Sequence, residues 1–433
     1  MAAAWLISQR HAVTVYEREA RIGGHTHTVD VATARGVIPV DTGFIVYNEQ
    51  NYPNLTALLA HLGVKTKPSN MGFSVSLDAG DLEYAGSFSG LIAQPGNFLR
   101  RDYRAMLRDT LRFYREAHNL LDAASFRGTL GEYLDTNGYT EAFARIHLLP
   151  MGAAIWSSSL ADMRAYPAIS FAQFFANHGL LKLFGRPQWR TVEGGSREYV
   201  KKLTSGYAKD IRLNSAARVV ARSATGVTIR DGNGTLDTFD GVVIAAHADD
   251  ALATLDDPSV EEKALLQSFS YRPNRVVLHS DRLLMPRRRM AWASWNYMAH
   301  SQKDGTEDLC VTYWMNKLQG IDKNTPLFVT LNPAAMPRED LTHGVYSCRH
   351  PLFDLQTISS QERLWHLQGE RRTWFCGSYF GAGFHEDALQ AGLAAAEDAT
   401  EMRRPWKVAR ESGRIFMTRE PARLGSGYGM SEV

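Results

Sequence analysis

Cysteine is scarce in this sequence. The chain of 433 residues contains three, Cys310, Cys348 and Cys376. They are odd in number, widely spaced and without a C-x-x-C pair, so they predict neither a disulfide framework nor a metal-ligand pattern. The sequence therefore predicts a protein of a reducing compartment, the cytoplasm.

Charge of one sign and long apolar runs are also lacking. Lys and Arg number 48 and Asp and Glu number 46, a net charge of +2, so nothing indicates nucleic-acid binding. No apolar run reaches the ~18 residues of a membrane helix, and the N-terminal MAAAWLIS lacks the basic region of a signal peptide. We predict no transmembrane segment. Peripheral membrane contact stays open, and the oligomeric state is not predicted.

Local patterns predict several elements near the two ends of the chain. Residues 11–17 read as a β-branched strand that ends in Glu17, and residues 53–62 as a helix that begins at a proline. Residues 373–377 read as a short buried strand, and residues 386–402 as an amphipathic helix. The basic, glycine-rich composition from residue 403 onward predicts a poorly ordered tail.

The middle of the chain has different patterns. Apolar residues at helical spacing predict a helical insertion over residues 96–150. Thr129 with Glu132, and Ser259 with Glu262, have the spacing of capping boxes at helix starts. The D-G-N-G sequence at residues 231–234 predicts a hairpin turn.

Four short segments have residue types that suit a dinucleotide. They are YEREARIGGHTHTVD (16–30), DTGFIVYN (41–48), TVEGGSREYV (191–200) and FCGSYFGAGFHEDALQAGLAAAE (375–397). A strand-terminal acid accepts hydrogen bonds from ribose hydroxyls, glycine pairs let backbone amides approach phosphates, and a helix N-terminus stabilises negative charge. Taken alone, the first two segments are better explained by ordinary turns, and Ser196 of the third is equally compatible with a plain helix N-cap.

Together, in this order and spacing, the four segments resemble the FAD-binding signature of the amine oxidase, protoporphyrinogen oxidase and phytoene desaturase superfamily. The closest resemblance is to its bacterial branch of predicted NAD/FAD-binding proteins. The resemblance implies an α/β fold with FAD as cofactor. It implies a discontinuous Rossmann-like FAD-binding domain, residues 1–75, 191–267 and 346–402, and an inserted α+β substrate domain, residues 76–190 and 268–345.

The resemblance also implies cofactor-binding residues. Glu17 holds the adenosine ribose, and His25 stands where many relatives have Arg, which implies weaker or pH-dependent phosphate neutralisation. The implied cofactor-binding residues are Glu17, Gly23, Gly24, His25, Thr26, Thr42, Gly43, Phe44, Ala217, Val219, Ala246, Gly377, Ser378, His385, Glu386, Asp387 and Ala388.

The sequence departs from the family pattern at its beginning. The pattern opens with a strand and the loop G-x-G-x-x-G, whereas Met1 to Trp5 already match the helix that follows this loop. We expect the lack of this strand to remove ladder hydrogen bonds from its neighbours and the main phosphate cradle. Two explanations stay open: a natural start further upstream, or a truncated product that binds FAD poorly.

The substrate is less well defined than the cofactor. Members of the family pass hydride equivalents to flavin as oxidases, desaturases or isomerases, and the aromatic insertions favour a hydrophobic, fatty-acyl or isoprenoid substrate. Most of these aromatics are also explained by an ordinary core. The predicted substrate-binding residues are Tyr47, Trp156, Trp314 and Tyr379. The alternatives are an amine oxidase, with Lys317 or Lys323 near the flavin, and a truncated flavin-free protein without activity.

No residue pattern identifies a catalytic acid or base. The candidates are His25, His27, Tyr47, Asn316 and His385. His25 and His27 would face one side of a strand, as metal ligands do, but no third ligand is tied to them in the sequence. We therefore predict no metal site.

Overall fold

The structure is a computed structural model that describes residues 1–122, 126–301 and 307–417. It is a mixed α/β fold with one large sheet and several small ones. The helices are α1 (Ala2–Ile7), α2 (Pro53–His61), α3 (Phe88–Leu91), α4 (Arg101–Glu116), α5 (Asn119–Asp122), α6 (Leu130–Thr136), α7 (Glu141–Phe143), α8 (Leu149–Trp156), α9 (Leu160–Ala165), α10 (Ala168–Asn177), α11 (Arg197–Thr204), α12 (Ala248–Thr254), α13 (Val260–Leu266), α14 (Met315–Leu318), α15 (Leu355–Gln361) and α16 (His385–Thr400). The strands are β1 (Val15–Tyr16), β2 (Thr28–Thr33), β3 (Gly36–Asp41), β4 (Tyr47–Asn48), β5 (Thr66–Ser69), β6 (Phe73–Leu77), β7 (Leu82–Ala85), β8 (Trp189–Val192), β9 (Ile211–Arg212), β10 (Ala217–Arg222), β11 (Val227–Asp231), β12 (Leu236–Phe239), β13 (Val242–Ile244), β14 (Ser270–His279), β15 (Trp295–Ser301), β16 (Glu307–Trp314), β17 (Phe328–Leu331), β18 (Thr342–Leu352) and β19 (Thr373–Phe375).

The predicted FAD-binding domain contains two short parallel strand pairs. Strand β1 pairs with β9, and β13 pairs with β19. No ladder joins the two pairs among the described residues, as expected for a Rossmann sheet without its first strand. The strand predicted over residues 11–17 is therefore wrong in length, because only Val15 and Tyr16 have a partner strand.

Helix α1 lies against α16 beside these pairs. The buried amino group of Met1 lies close enough to Cys376 and Glu17 for both to influence its pKa, which burial lowers. The N-terminal residues are thus part of the core that supports α16, together with the apolar side chains of Trp5 and Leu6.

The local predictions of turns and helix starts are confirmed. Thr129 and Ser259 each accept a hydrogen bond from the third residue of their helix, and both capping boxes are complete. Residues 231–234 form the turn between β11 and β12. Residues 96–150 are helical over most of their described length, as predicted.

The large sheet has seven strands in the order β18-β14-β17-β16-β15-β6-β7. Its apolar side chains and those of the helical insertion form the largest hydrophobic core of the protein. The sheet begins at Phe73 and ends at Leu352. It therefore extends a few residues beyond the predicted limits of the substrate domain, residues 76 and 345.

Residues 403–417 are folded, so the prediction of a poorly ordered tail does not hold for them. The buried guanidinium of Arg404 donates to both carboxylate oxygens of Glu397 and to the side-chain oxygen of Asn54. Residues 418–433 lie outside the described residues.

Among the described residues, no helix combines the length and apolar character needed to cross a bilayer.

Candidate functional site

The first two predicted cofactor segments lie side by side. The backbone N–H of Phe44 donates to the carbonyl of His25 at 2.8 Å, and that of Thr42 to the carbonyl of His27 at 2.8 Å. A Cβ atom on Gly43 would lie 2.0 Å from the carbonyl oxygen of His25. Only glycine therefore permits this approach, which explains Gly43 without reference to a ligand.

Asp41 joins these segments to the third. Its fully buried carboxylate accepts hydrogen bonds from the Ser196 backbone at 2.9 Å, the Thr28 hydroxyl at 2.6 Å and the Gln319 amide at 3.0 Å. Burial raises the pKa of Asp41 to about 6, and the hydrogen bonds from Thr28 and Ser196 oppose this shift. No sequence pattern predicts a role for Asp41, although it is the first residue of the DTG segment.

Tyr199 joins the third segment to the fourth. Its hydroxyl lies 2.6 Å from Nε2 of His385 and 2.5 Å from the Thr26 hydroxyl. The ring of His385 stacks on Phe44 with centroids 4.0 Å apart. Burial lowers the pKa of His385 to about 4, so the imidazole is neutral at pH 7. The four segments thus meet at one place in the fold.

The acids at the start of α16 bind protein groups. The buried carboxylate of Glu386 accepts from the backbone N–H groups of Asn54 and Leu55, the first turn of α2, at 3.0 Å each. Asp387 accepts from the Phe384 backbone at 2.7 Å and forms an ion pair with Arg414 at 2.6 Å. Because these carboxylates already bind protein groups, the flavin contact predicted for the start of α16 depends on its backbone N–H groups, including that of Ala388.

The remaining predicted cofactor residues surround the two strand pairs. Glu17 follows β1, and its carboxylate accepts from the Glu19 backbone at 3.0 Å. Ala217 and Val219 lie on β10. A Cβ atom on Gly377 would lie 2.6 Å from the Tyr379 ring and 3.2 Å from the Ala246 carbonyl. Ser378 begins the turn that leads to α16. Gly23 and Gly24 have positive φ angles of 116° and 55°.

A histidine cluster lies beside the first segment. The ring of His25 is 5.8 Å from that of His247 and 5.3 Å from that of His350. Burial lowers the pKa of His247 to about 4 and that of His350 to about 3. Burial also lowers the pKa of His25, whose buried Nε2 has no hydrogen-bond partner among the described residues.

His25, His350 and Cys348 have ligand atoms close enough together to hold a metal ion, within 4.8 Å of one another. However, Nδ1 of His350 lies 3.0 Å from the Asn274 amide nitrogen, which donates to it. This bond leaves the proton of the neutral imidazole on Nε2, which lies 4.0 Å from the Cys348 sulfur. The arrangement is that of a thiol and a neutral imidazole, and the absence of a metal stays a prediction.

The other predicted site residues do not gather at this place. Asn316 makes hydrogen bonds with Asp322, Thr325 and Leu327 that shape its own loop. Tyr47 is buried beside Tyr52. Trp156 donates to the Ala382 carbonyl at 3.2 Å, Tyr379 packs on Phe269, and Trp314 packs on Trp292.

The two lysines singled out for an amine oxidase differ in their surroundings. The Lys317 ammonium lies 5.8 Å from the centre of the Trp314 ring, and burial lowers its pKa. Lys323 is exposed. Neither forms an ion pair among the described residues.

A cavity of about 990 Å³ opens at the β18 edge of the large sheet. It is bounded by Arg272 and Arg275 of β14, Tyr346 of β18, the serines after α8 and the loop that follows β17. The Tyr346 ring packs edge-on against His27, with centroids 4.8 Å apart. The cavity therefore lies next to the place where the four segments meet.

The sequence matches the family model of flavin containing amine oxidoreductases over residues 1–320. The chain belongs to this family. As a flavin-containing amine oxidoreductase it is an enzyme, an FAD-dependent oxidoreductase. No curated protein sequence matches the chain.

Solved structures similar to this oxidoreductase include three proteins that are named for different activities. They are cyclohexylamine oxidase from Brevibacterium oxydans (16% identity, TM-score 0.66, 92% of this chain and 96% of that chain), a putative protoporphyrinogen oxidase from Exiguobacterium (13%, 0.61, 92% and 95%) and a fatty acid isomerase from P. acnes that produces CLA (13%, 0.62, 92% and 95%). At these identities the likeness shows the fold alone, and it does not decide the substrate.

The residues of this flavin-containing oxidoreductase fit FAD. The buried Nε2 of His25 has no hydrogen-bond partner among the described residues and is available to a ligand. The neutral His385 and the N-terminus of the 16-residue helix α16 lie where the four segments meet. FAD, when bound, supplies a hydride acceptor. The residues of the chain would hold the flavin in position and form its surroundings.

Proposed function

We propose that this enzyme takes hydride equivalents from a hydrophobic acyl substrate that carries an anionic group, acting as an oxidase, desaturase or isomerase in lipid metabolism. The observation that supports this proposal is the charge of the cavity beside His27. Its lining includes two arginines and no carboxylate. A carboxylate is attracted to such a lining, whereas the ammonium form of an amine is repelled.

The two arginines contribute unequally. Arg275 is exposed and forms no ion pair among the described residues, and its guanidinium has only the Met336 sulfur as a side-chain partner, at 3.8 Å. Arg272 forms an ion pair with Asp162 at 2.6 Å, which partly neutralises it. We therefore assign the anionic group of the substrate chiefly to Arg275, whose planar guanidinium suits two-point binding of a carboxylate.

The proposed substrate site connects to the cofactor residues at two points. Tyr346 contacts His27, and Asn274 donates to His350, which is a neighbour of His25. Burial lowers the pKa of His27 to about 4, so its imidazole is neutral at pH 7, and its Nδ1 lies 2.8 Å from the Thr42 hydroxyl. In this proposal a neutral His27 accepts or relays the proton that leaves the substrate.

The roles proposed for the aromatic residues are secondary. Trp156 and Tyr379 are buried next to the residues that precede α16, and neither of them lines the cavity. We retain Tyr47, Trp156, Trp314 and Tyr379 as substrate-binding proposals, and His25, Asn316 and His385 as catalytic ones.

We also propose a cytoplasmic location, because all three cysteines are free thiols.

A matched pair of substrates tests the proposal. The purified protein, loaded with FAD, is mixed without oxygen with a long-chain fatty acid or with the primary amine of the same chain length. We expect the acid to reduce the flavin or to yield a desaturated or isomerised product, and the amine to do neither. Flavin bleaching by the amine alone would establish the alternative, an amine oxidase.

A pair of arginine variants tests the assignment of Arg275. We expect Arg275→Gln to raise the KM for the acid about tenfold while kcat changes little, because the interaction is made equally in the bound and reacting states. The control is Arg338→Gln, an exposed arginine paired with Asp340. Equal KM values in the two variants would show that Arg275 does not bind the anionic group of the substrate.

Absence of bound flavin in the unaltered protein would support the third alternative, an inactive flavin-free chain.

A further inference from the structure

Several large apolar side chains are exposed at one edge of the large sheet. Phe88 and Leu99 are each 85% exposed, Leu283 is 82% exposed and Met290 is 53% exposed. They lie in two connecting segments, residues 86–101 and 282–290, which we call loops although the first contains the short helix α3 and ends at the start of α4. Single exposed apolar residues are common on protein surfaces, but a group of them indicates an interaction surface.

The two loops are held together by one buried residue, Glu83. Glu83, on the edge strand β7, accepts hydrogen bonds from the backbone N–H of Arg287 at 2.7 Å and of Arg288 at 3.0 Å. Its own backbone N–H and C=O bind the side chains of Gln94 and Asn97 in the other loop, at 2.9 and 3.0 Å. The exposed apolar side chains are therefore presented by a fixed framework.

The same two loops are basic. Residues 86–101 and 282–290 contain six arginines and no acidic residue. Arg100 and Arg288 form ion pairs with Asp81 and Glu83. The other four, Arg101, Arg282, Arg287 and Arg289, form none among the described residues. Arg289 is instead fixed over the Trp292 ring, 3.7 Å from its centre.

Helix α4 extends the basic surface away from the loops. It begins at Arg101, and its exposed side carries Arg104 and Arg108, while Tyr103 and Met106 pack inward. Charge and apolar exposure thus occur on adjacent parts of one surface. Burial lowers the pKa of Arg289, and the like charge of nearby Arg282 lowers it further.

We propose that this surface docks on an anionic phospholipid bilayer. We name it the arginine–apolar patch and define it by Phe88, Leu99, Leu283, Met290, Arg101, Arg282, Arg287 and Arg289. Unpaired guanidinium groups bind lipid phosphates, and apolar side chains that project from short turns enter the headgroup and acyl boundary. The charge complementarity favours an anionic over a neutral bilayer. This proposal is independent of the substrate proposed above.

Vesicle co-sedimentation of the full chain tests the patch. Vesicles of phosphatidylcholine alone are compared with vesicles that also contain phosphatidylglycerol. We expect binding only to the anionic vesicles, and a decline as salt rises from about 0.1 M to about 0.5 M, because salt screens exposed charges. Absence of binding to anionic vesicles, or equal binding to both kinds, would overturn the proposal.

Two double variants separate the apolar and basic contributions. We expect F88S/L99S and R101Q/R287Q each to reduce the partition coefficient about tenfold or more, since each removes two of the groups that enter the lipid surface. The control is Val260→Ser, which alters a side chain that is 87% exposed on α13.

Circular dichroism and the sedimentation coefficient of each variant show whether it is folded and monomeric to the same degree as the unaltered protein. A patch variant that binds vesicles like the control would overturn the proposal. So would a patch variant that changes the oligomeric state, because the apolar residues would then face a second copy of the chain.

Discussion

The Tyr199 hydroxyl lies 2.6 Å from Nε2 of His385 and 2.5 Å from the hydroxyl of Thr26. One phenol thus connects three of the four segments that the sequence marks as cofactor-binding. Tyr199 is fully buried, and burial raises the pKa of its hydroxyl, so it stays protonated at every physiological pH. It holds the His385 ring against Phe44 in a fixed orientation.

Substitution Tyr199→Phe removes this connection and keeps the ring. We expect a loss of about 1 kcal/mol in the free energy of unfolding, the usual value of a hydrogen bond, and a weaker affinity for FAD. Urea titration and fluorescence titration with FAD measure the two effects. Tyr139→Phe, which removes a hydroxyl bonded to Glu116 in the helical insertion, serves as the control. Equal FAD affinity of the two variants would show that Tyr199 stabilises the fold only.

The Glu386 carboxylate is a second long-range connection, since it accepts from the first turn of α2. We expect Glu386→Gln to lower the free energy of unfolding by about 2 kcal/mol, because one accepting oxygen becomes a donor that faces other donors. Urea denaturation measures this change. The same substitution at exposed Glu370 is the control. A loss of unfolding free energy no larger than that of the control would show that Glu386 does not hold α2 in place.

Histidine 25 predicts a pH-dependent cofactor affinity. Burial lowers its pKa in the free protein, and an anionic pyrophosphate nearby would raise it. Binding of FAD then takes up a proton, so the affinity is higher at about pH 6 than at about pH 8. We expect His25→Arg to reduce this pH dependence and to tighten binding at the higher pH. Titrations of both proteins at both pH values check the prediction. Identical pH dependence in the variant would assign the proton to another group.

Buried neutral histidines predict a stability that falls in acid. Burial lowers the pKa of His178 to about 3, below its ordinary 6.5. Between these values the unfolded chain binds a proton that the folded chain does not, so stability rises with pH in this window and is constant above it. Asp41 acts in the opposite direction, because its pKa is raised to about 6 in the folded state.

The contribution of one histidine is isolated by His178→Phe. We expect the slope of the unfolding free energy against pH to decrease by about 1.4 kcal/mol per pH unit between about pH 4 and about pH 6, the value for one proton. Urea titrations across this range measure the slope. An unchanged slope would mean that His178 is protonated in the folded protein, or that it stays neutral in the unfolded one.

Local features of the fold could be predicted from the sequence. The Thr129 and Ser259 capping boxes and the turn at residues 231–234 depend on neighbours within four residues, and all three are confirmed. The order of the four glycine-containing segments was enough to predict the family and FAD. Local chemistry and the order of motifs therefore account for most of the predictions that are confirmed.

The connections between segments could not be predicted in this way. Tyr199 and His385 are 186 residues apart, and Glu386 and Asn54 are 332 apart. No local pattern signals such pairs. The folded state of residues 403–417 could not be predicted for the same reason, since Arg404 is held by Glu397 and Asn54 and not by periodicity in its own segment. The strand predicted at residues 11–17 is the opposite case. Its composition suits a strand, but only Val15 and Tyr16 have a partner strand.

The contacts of α16 have a consequence for how the protein is made. The helix start that completes the cofactor site needs Asn54 and Leu55 from the N-terminal part of the chain and Arg414 from near the end of the described residues. At about 5–20 residues per second, a ribosome delivers Leu55 and Arg414 on the order of tens of seconds apart. Contacts between residues so distant in sequence form slowly. We therefore expect the cofactor site to be completed, and FAD to be captured, only after translation has passed residue 414.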